Sequence, residues 1–170
     1  MKKILLLILI ISLLACTVEV EPDVENADFI GSWKLEKWTA NLADGTEVYP
    51  YGEKAYGKLI YEANGDMSGI LMADDRKRMS SDDVSTRLPG EALSAFNSFF
   101  AFAGPYKVNR DSAFVIHKVE ACINPNWVGR NQKRFFNFEN GALILSTPPI
   151  AVQGTRSQAV QQTLIWRKLE

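Results

Sequence analysis

The chain has 170 residues, a formal net charge of −1 and 46% hydrophobic residues. A near-neutral charge without a stripe of Lys and Arg gives no basis for nucleic-acid binding. Two cysteines and the single His117 do not make the Cys/His cluster of a zinc or other transition-metal site, so we predict no metal and no cofactor.

The first residues have the pattern of a secretory signal peptide. Lys2 and Lys3 precede an apolar segment, residues 4–15, which is shorter than the roughly 20 residues that a membrane-spanning helix needs. Residues 13–16 read LLAC and resemble the lipobox of bacterial lipoproteins. The resemblance implies cleavage before Cys16 and a diacylglycerol group on its sulfur, with two acyl chains such as palmitate, which would anchor the protein stably. The alternative is an ordinary signal peptide with a chance cysteine at its end.

An acidic segment separates Cys16 from the rest of the chain. It carries five acidic residues and no basic one, and such segments stay flexible because they bury too little apolar surface. We therefore expect a signal peptide over 1–15, a lipidated cysteine and tether over 16–28, and one domain over 29–170. Because Thr17 is not aspartate, the sorting rule of many Gram-negative lipoproteins indicates the outer membrane. The expected location is the bacterial cell envelope, with the domain in the periplasm or on the cell surface and Cys16 holding it to the membrane.

Eight segments of the domain have the pattern of β-strands, and turn residues such as Asn140-Gly141 separate them. Several gaps are too short for a crossover helix, so those neighbours must be antiparallel. This number of strands predicts an all-β fold, an eight-stranded up-and-down barrel that is wide enough to enclose one small ligand. The predicted strands are 31–40, 57–63, 67–73, 105–109, 113–123, 131–138, 142–147 and 161–169.

Apolar residues at helical spacing predict one helix over 89–102, between the third and fourth predicted strands. Two positions for this helix stay open. It either packs against the outside or end of the barrel, or it forms a lid over the barrel mouth.

Short motifs along the domain resemble the lipocalin-like domain family of bacteria and fungi. Their order and spacing are more specific than any of them alone. The resemblance implies a lipocalin-type barrel and implies little about activity, since fold does not determine function. The motifs are GSWKL at 31–35, PYG at 50–52, GKLIY at 57–61, GDMS at 65–68, GPY at 104–106, HKVE at 117–120, PNWVGRNQKR at 125–134 and LIWR at 164–167.

Trp33 and Arg167 match two positions of true lipocalins, in which an arginine of the last strand stacks on the tryptophan of the first. The resemblance therefore implies a structural cation–π contact between them, of about 0.5–2 kcal/mol, which closes the barrel base.

Strand alternation decides which side chains of 131–138 face inward. Gln132 and Arg134 share a face with two phenylalanines, so Arg134 should point into an apolar interior. A buried guanidinium needs an acceptor. Three alternatives are open: an ion pair with Glu120, an arginine that reaches the barrel mouth, or an acidic ligand held by Arg134 and Gln132.

His117 shares a strand face with valines, which predicts a buried histidine. It is either a satisfied core residue or a general acid/base, and a dyad with Glu120 is one form of the second alternative. Positions i and i+3 on a strand face opposite ways, however, so that dyad needs a β-bulge.

Three aromatic residues are further candidates for a ligand cavity. Trp127, in a loop rich in Pro and Gly, is either a plug over the barrel end or part of a pocket wall. Tyr61 and Tyr106 have apolar rings and polar tips that suit a cavity lining, and they could equally be core tyrosines.

Three functions follow from these alternatives. We favour a barrel that binds a small, largely apolar molecule, with a carboxylate as its polar end; its contacts would be Tyr61, Tyr106, His117, Trp127, Gln132 and Arg134. The second is an isomerase, cyclase or hydrolase with His117 as acid/base, and Glu120 beside it. The third is a filled barrel that acts as an interaction module.

Overall fold

The structure, a computed structural model, describes residues 26–151 and 158–170. The predicted signal peptide, Cys16 and most of the predicted tether lie outside these residues. In chain order the elements are β1 (Gly31–Asn41), β2 (Glu47–Val48), β3 (Tyr56–Tyr61), β4 (Asp66–Met72), α1 (Pro89–Asn97), β5 (Phe99–Asn109), β6 (Phe114–Lys118), β7 (Ala121–Cys122), β8 (Asn131–Glu139), β9 (Ala142–Ser146) and β10 (Gln162–Lys168), with short 3-10 helices at Val84–Thr86 and Pro125–Trp127.

Eight of the strands form a closed antiparallel barrel. They pair in the order β1-β3-β4-β5-β6-β8-β9-β10, and β10 returns to pair with β1. Closure pairs both edges of the sheet, so the barrel exposes no long edge strand. The predicted all-β, eight-stranded barrel is therefore confirmed. The two-residue strands β2 and β7 lie against β1 and β5.

Side chains alternate between the interior and the outside of the barrel, as the pleat of a strand requires. In β8, Arg134 is buried and Gln132 is half-buried, whereas Asn131, Phe135 and Asn137 are exposed. The predicted faces of this strand are confirmed. The alternation matters for function because it brings polar residues of β8 into the barrel.

The two ends of the barrel differ in the length of their connections. At one end, which we name the base, short turns join β3 to β4, β5 to β6 and β8 to β9. At the other end, which we name the mouth, the connections are long; they are 42–55, 73–98, 119–130 and 147–161, of which 152–157 lie outside the described residues. A cavity that admits a ligand is therefore expected to open at the mouth.

Aromatic rings fill the barrel just above its base. Phe29 is fully buried, and its ring meets those of Tyr61, Phe136 and Phe138 edge-on at centroid distances of 5.3, 4.9 and 5.1 Å. The Trp33 indole N–H donates to the carbonyl oxygen of Phe29 at 2.8 Å. These contacts close the base with a packed apolar layer.

The residues just before β1 are held at the base. Asp28 forms an ion pair with Arg110, in the turn between β5 and β6. The side chain of Asn26 accepts a hydrogen bond from Nε of Arg110 at 3.3 Å. The chain therefore enters the barrel at the base, at the opposite end from α1.

The cation over Trp33 is Lys168, not Arg167, so the predicted stacking is wrong. Lys168 is the cross-strand partner of Trp33, and its Nζ lies 5.3 Å from the indole centroid. Because Trp166 faces inward, its neighbour Arg167 must face outward. There Arg167 forms an exposed ion pair with Glu36 at 3.0 Å.

The helix is shorter than predicted. It spans Pro89–Asn97, and the residues from Phe99 onward belong to β5, where Phe99 pairs with Met72 of β4. The phenylalanines of this stretch fit both a helical and a strand period, and long-range pairing with β4 decides between them. No residue of α1 is buried. In the described parts of the chain, no helix is long and apolar enough to cross a membrane.

Candidate ligand-binding cavity

A cavity of about 560 Å³ lies inside the barrel and extends to the mouth, where Phe96 and Asn97 of α1 line it. This volume is within the range of small-molecule sites, roughly 300–1,000 Å³. A void of this size argues against the filled-barrel hypothesis. The last residues of α1 thus border the mouth, whereas Leu93, earlier in the helix, is 60% exposed. The helix therefore neither covers the mouth completely nor packs its apolar face against the outside of the barrel.

One side of the cavity is apolar and largely aromatic. It is built by strands β3, β4 and β5 together with the loops at the mouth, and it includes Leu59, Leu71, Phe100, Phe102 and Trp127. Gly69 of β4 also belongs to this wall, and a Cβ there would lie 2.8 Å from the ring of Phe102. Glycine at this position therefore leaves room for the Phe102 ring.

The other side of the cavity carries polar groups, because strands β6, β8 and β10 each place polar residues inward. They are His117, Gln132, Arg134 and Gln162, with Thr147 just after β9. The pairing of Phe135 with Ser146 sets Arg134 beside Thr147, and the Thr147 amide donates to the Gln162 carbonyl at 3.0 Å. Arg134, Thr147 and Gln162 therefore form one row across three neighbouring strands.

Arg134 is a buried cation that forms no ion pair with any of the described residues. Its side chain is 9% exposed, and its Nη1 donates to the backbone carbonyl of Lys133 at 2.8 Å. The guanidinium carbon lies 5.7 Å from the centroid of the Trp127 ring. Burial lowers the pKa of Arg134 to about 10, so it keeps its charge at neutral pH. None of the described lining residues is Asp or Glu.

Glu120 does not neutralise Arg134. It is exposed, three residues after the buried His117, and no ion pair among the described residues joins it to Arg134. The alternative of a dyad between His117 and Glu120 is not formed either: the pairing with β5 shifts by one residue between His117 and Ala121, and Glu120 nevertheless stays exposed.

His117 instead pairs with Tyr61. The Tyr61 hydroxyl lies 2.7 Å from Nε2 of His117, and the Phe102 ring stacks on the imidazole at 5.8 Å. Burial is the main cause that holds the pKa of His117 well below its usual value, with Arg134 as a second cause. Burial likewise raises the pKa of Tyr61. Both groups are thus neutral, and Nδ1 of His117 has no partner among the described residues.

Gln162 is oriented by an indole. The Trp38 N–H donates to Oε1 of Gln162 at 3.0 Å. Because an indole nitrogen can only donate, the amide oxygen faces Trp38 and the NH2 group faces elsewhere. That Nε2 is buried and has no acceptor in the described part of the chain.

Four of the six predicted contact residues line the cavity: His117, Trp127, Gln132 and Arg134. The other two lie outside its lining. Tyr61 contacts His117 through its hydroxyl and does not itself line the cavity. The Tyr106 hydroxyl donates to the carbonyl of Glu62, near the base, at 3.1 Å. The role of all six as ligand contacts stays a prediction.

Sequence reasoning missed Trp38, Gln162 and Trp166 as cavity residues. The signal for Gln162 was available, since it alternates with Leu164 and Trp166 in a predicted strand and is the polar member of an inward face. In residues 26–151 and 158–170, no cluster of three or more His, Cys, Asp and Glu could hold a metal ion.

Comparison with known proteins identifies the family. The family model described as "Lipocalin-like domain" matches residues 30–169. The chain belongs to this family. Over 110 residues it is 31% identical to the 4'-hydroxy-3'-methoxypropiophenone carrier protein ppsC of Aspergillus oryzae. This alignment covers 61% of this chain and 96% of that protein.

The chain also aligns with a solved structure. The crystal structure of a lipocalin-like protein from Bacteroides uniformis aligns with a TM-score of 0.42 and 15% identity, over 84% of this chain and 99% of that one. The lipocalin-like assignment itself follows from the family match and from the closed eight-stranded barrel.

Proposed function

We propose that this protein binds a small, largely apolar molecule that bears a carboxylate, and carries it inside the barrel. The observation on which this proposal depends is Arg134, a buried cation in a cavity whose described lining has no acidic side chain. A buried guanidinium is costly without an acceptor, and a carboxylate matches its fork of N–H donors.

The shape and chemistry of the cavity support this ligand class. The aromatic wall offers contact area for an apolar body, and the opposite wall offers hydrogen-bond donors for a polar end. Gln162 lies in the row of Arg134, and its free NH2 group would hold the second carboxylate oxygen. Gln132, two residues before Arg134 on the same face, would add a further polar contact.

The Aspergillus relative supports the proposal from a different direction. Its name describes a carrier of a methoxylated hydroxyphenyl ketone, which is a small aromatic molecule. A ligand of comparable size fits the 560 Å³ cavity of this chain.

Binding is favoured over acid/base catalysis by the state of His117. A general base works best when its pKa lies near the working pH, whereas burial keeps the pKa of His117 well below its usual value. Glu120, which would have raised that pKa, is exposed. The role we propose for His117 is therefore to offer a neutral ring nitrogen to the ligand.

The proposed place of action is the cell envelope, with the protein anchored through acyl chains on Cys16. The support is the LLAC motif at 13–16 behind a basic and apolar leader. Growth of the native host with a labelled palmitate analogue tests this proposal: label should enter the wild-type chain and not Cys16→Ser. Label in Cys16→Ser, or its absence from both proteins, would reject the anchor.

Native mass spectrometry tests the carrier function. Gently purified protein should show an additional mass that disappears on denaturation, and negative-ion spectra of the released molecule should identify an acid. Arg134→Met should lose this mass, whereas Lys133→Met, which removes a cation from the outer face of the same strand, should retain it. Equal occupancy of both variants would reject the role of Arg134.

A further inference from the structure

Trp166 differs from the other buried tryptophans of the described chain. The indole N–H of Trp33 donates to the Phe29 carbonyl, and that of Trp38 donates to Gln162. Trp166 is 3% exposed, and its Nε1 has no acceptor among the described residues. Buried indole N–H groups usually find a partner, so this orphan donor calls for an explanation.

The protein around Trp166 offers no such partner. Its cross-strand neighbours on the same face are Leu143 of β9 and Leu35 of β1, and Leu164 precedes it on that face of β10. All three side chains are apolar. Trp166 also lines the cavity. A ligand atom is therefore the natural acceptor for this N–H group.

That acceptor is separate from the proposed carboxylate. Trp166 lies four residues beyond Gln162 on β10, so their Cα atoms are roughly 13 Å apart along the strand. Gln162 belongs to the row of Arg134, whereas Trp166 lies closer to the base. Since the cavity lining next to Trp166 on the same face is apolar, with Leu164 two residues before it and Leu145 opposite Leu164, a charged group there would be desolvated without compensation.

We propose that the ligand carries a second, uncharged acceptor oxygen at the end opposite its carboxylate, and that the Trp166 N–H binds it. This inference rests on the proposed carrier function and narrows its ligand class. With aromatic rings on the facing wall, the class is an aryl carboxylic acid with an ether, carbonyl or hydroxyl oxygen on the far side of the ring.

A matched pair of acids tests the inference. The probes 3-(4-methoxyphenyl)propanoate and 3-(4-ethylphenyl)propanoate have the same number of heavy atoms and differ by one ether oxygen in place of a CH2 group. Calorimetric titration of the full chain without its bound ligand should give a Kd for the methoxy acid that is roughly three- to tenfold lower, the gain of one hydrogen bond.

Two variants locate the effect. Trp166→Phe removes the N–H and keeps an aromatic ring, so the preference should vanish or reverse, because an unpaired ether oxygen is costlier to bury than a CH2 group. Arg134→Met should weaken both acids alike and leave their ratio unchanged. The lost ring volume of Trp166→Phe affects both probes, so the ratio of the two Kd values isolates the N–H group.

Each outcome decides between the two proposals. If both acids bind through Arg134 with equal Kd, the second acceptor is rejected and the carrier function stands. If neither acid binds, both are rejected for this ligand class. Should Trp166→Phe fail to fold, indole 15N–1H spectra of the wild type replace it: the methoxy acid should move the Trp166 resonance downfield relative to the ethyl acid, and equal shifts would reject the inference.

Discussion

The indole of Trp38 donates to Oε1 of Gln162 at 3.0 Å, and this contact determines what Gln162 presents to the rest of the barrel. An amide oxygen and an amide nitrogen have similar shapes, so either could face inward. The donor-only indole resolves that choice and leaves the NH2 group for a ligand. A contact between two cavity residues, one on β1 and one on β10, thus determines which amide atom of Gln162 is left for the cavity.

Substitution of Gln162 separates the structural and binding roles of its two amide atoms. Gln162→Glu keeps an acceptor for Trp38 and places a carboxylate in the row of Arg134, so it should fold and bind acidic ligands at least tenfold more weakly. Gln162→Leu leaves the Trp38 N–H unpaired and should lower the free energy of unfolding by about 1–3 kcal/mol. Denaturant titration and calorimetry measure both effects; tight acid binding by Gln162→Glu would contradict the orientation.

Arg134→Met should stabilise the unliganded protein. The substitution replaces a buried charge that lacks a carboxylate partner with an apolar side chain of similar length, so we expect an increase of about 1–3 kcal/mol in the free energy of unfolding. Denaturant titration of ligand-free protein measures this change. Lys133→Met is the control: it removes an outward cation that stacks on the rings of Phe114 and Phe135 at 4.1 and 4.8 Å, so it should lower the free energy of unfolding by about 0.5–1 kcal/mol and not raise it. A destabilised Arg134→Met would mean that the cation is satisfied within the protein.

His117 should make stability depend on pH in mildly acidic solution. Its pKa is lowered on folding, so below the unfolded pKa of about 6.5 the unfolded state binds more protons than the native state. The free energy of unfolding should therefore fall as pH decreases from about 6.5 to 5, by at most about 1.4 kcal/mol per pH unit. Urea titrations at several pH values measure this slope, and His117→Gln should flatten it; an unchanged slope would assign it to other groups.

Gly69→Ala should narrow the cavity without disturbing the barrel. The added Cβ would lie 2.8 Å from the Phe102 ring, which is the far end of a flexible side chain and has open space to move into. We expect a lower affinity for aromatic acids, by roughly three- to tenfold, as one methyl group intrudes. Gly90→Ala in α1 has no atom within 4 Å of its Cβ and should leave affinity unchanged. Equal affinities would show that ligands do not approach Phe102.

The sequence predicted most of the barrel because alternation and short turns are local features. In β8, the period of two alone assigned Arg134 to the interior and Asn131 to the outside, and both assignments are correct. The start of β5 was predicted six residues late. Phe99 and Phe100 satisfy the helical and the strand period equally, and the pairing with β4 that decides between them is not visible locally.

The candidate site was harder to predict than the fold. Arg134 was recognisable as a polar residue on an apolar face, and its lack of an acidic partner required the position of Glu120 in three dimensions. Tyr61 was predicted as a lining residue, yet its hydroxyl reaches His117, a partner 56 residues away in sequence. The polarity of Gln162 depends on Trp38, 124 residues away. Such pairs arise only when the barrel closes.

The position of residues 26–28 at the base has a consequence for access to the cavity. The chain that precedes β1 meets the barrel at its closed end, opposite the mouth. Under the proposed carrier function, a ligand would therefore enter and leave at the end of the barrel that carries α1, and a label attached ahead of Asn26 would start away from that path.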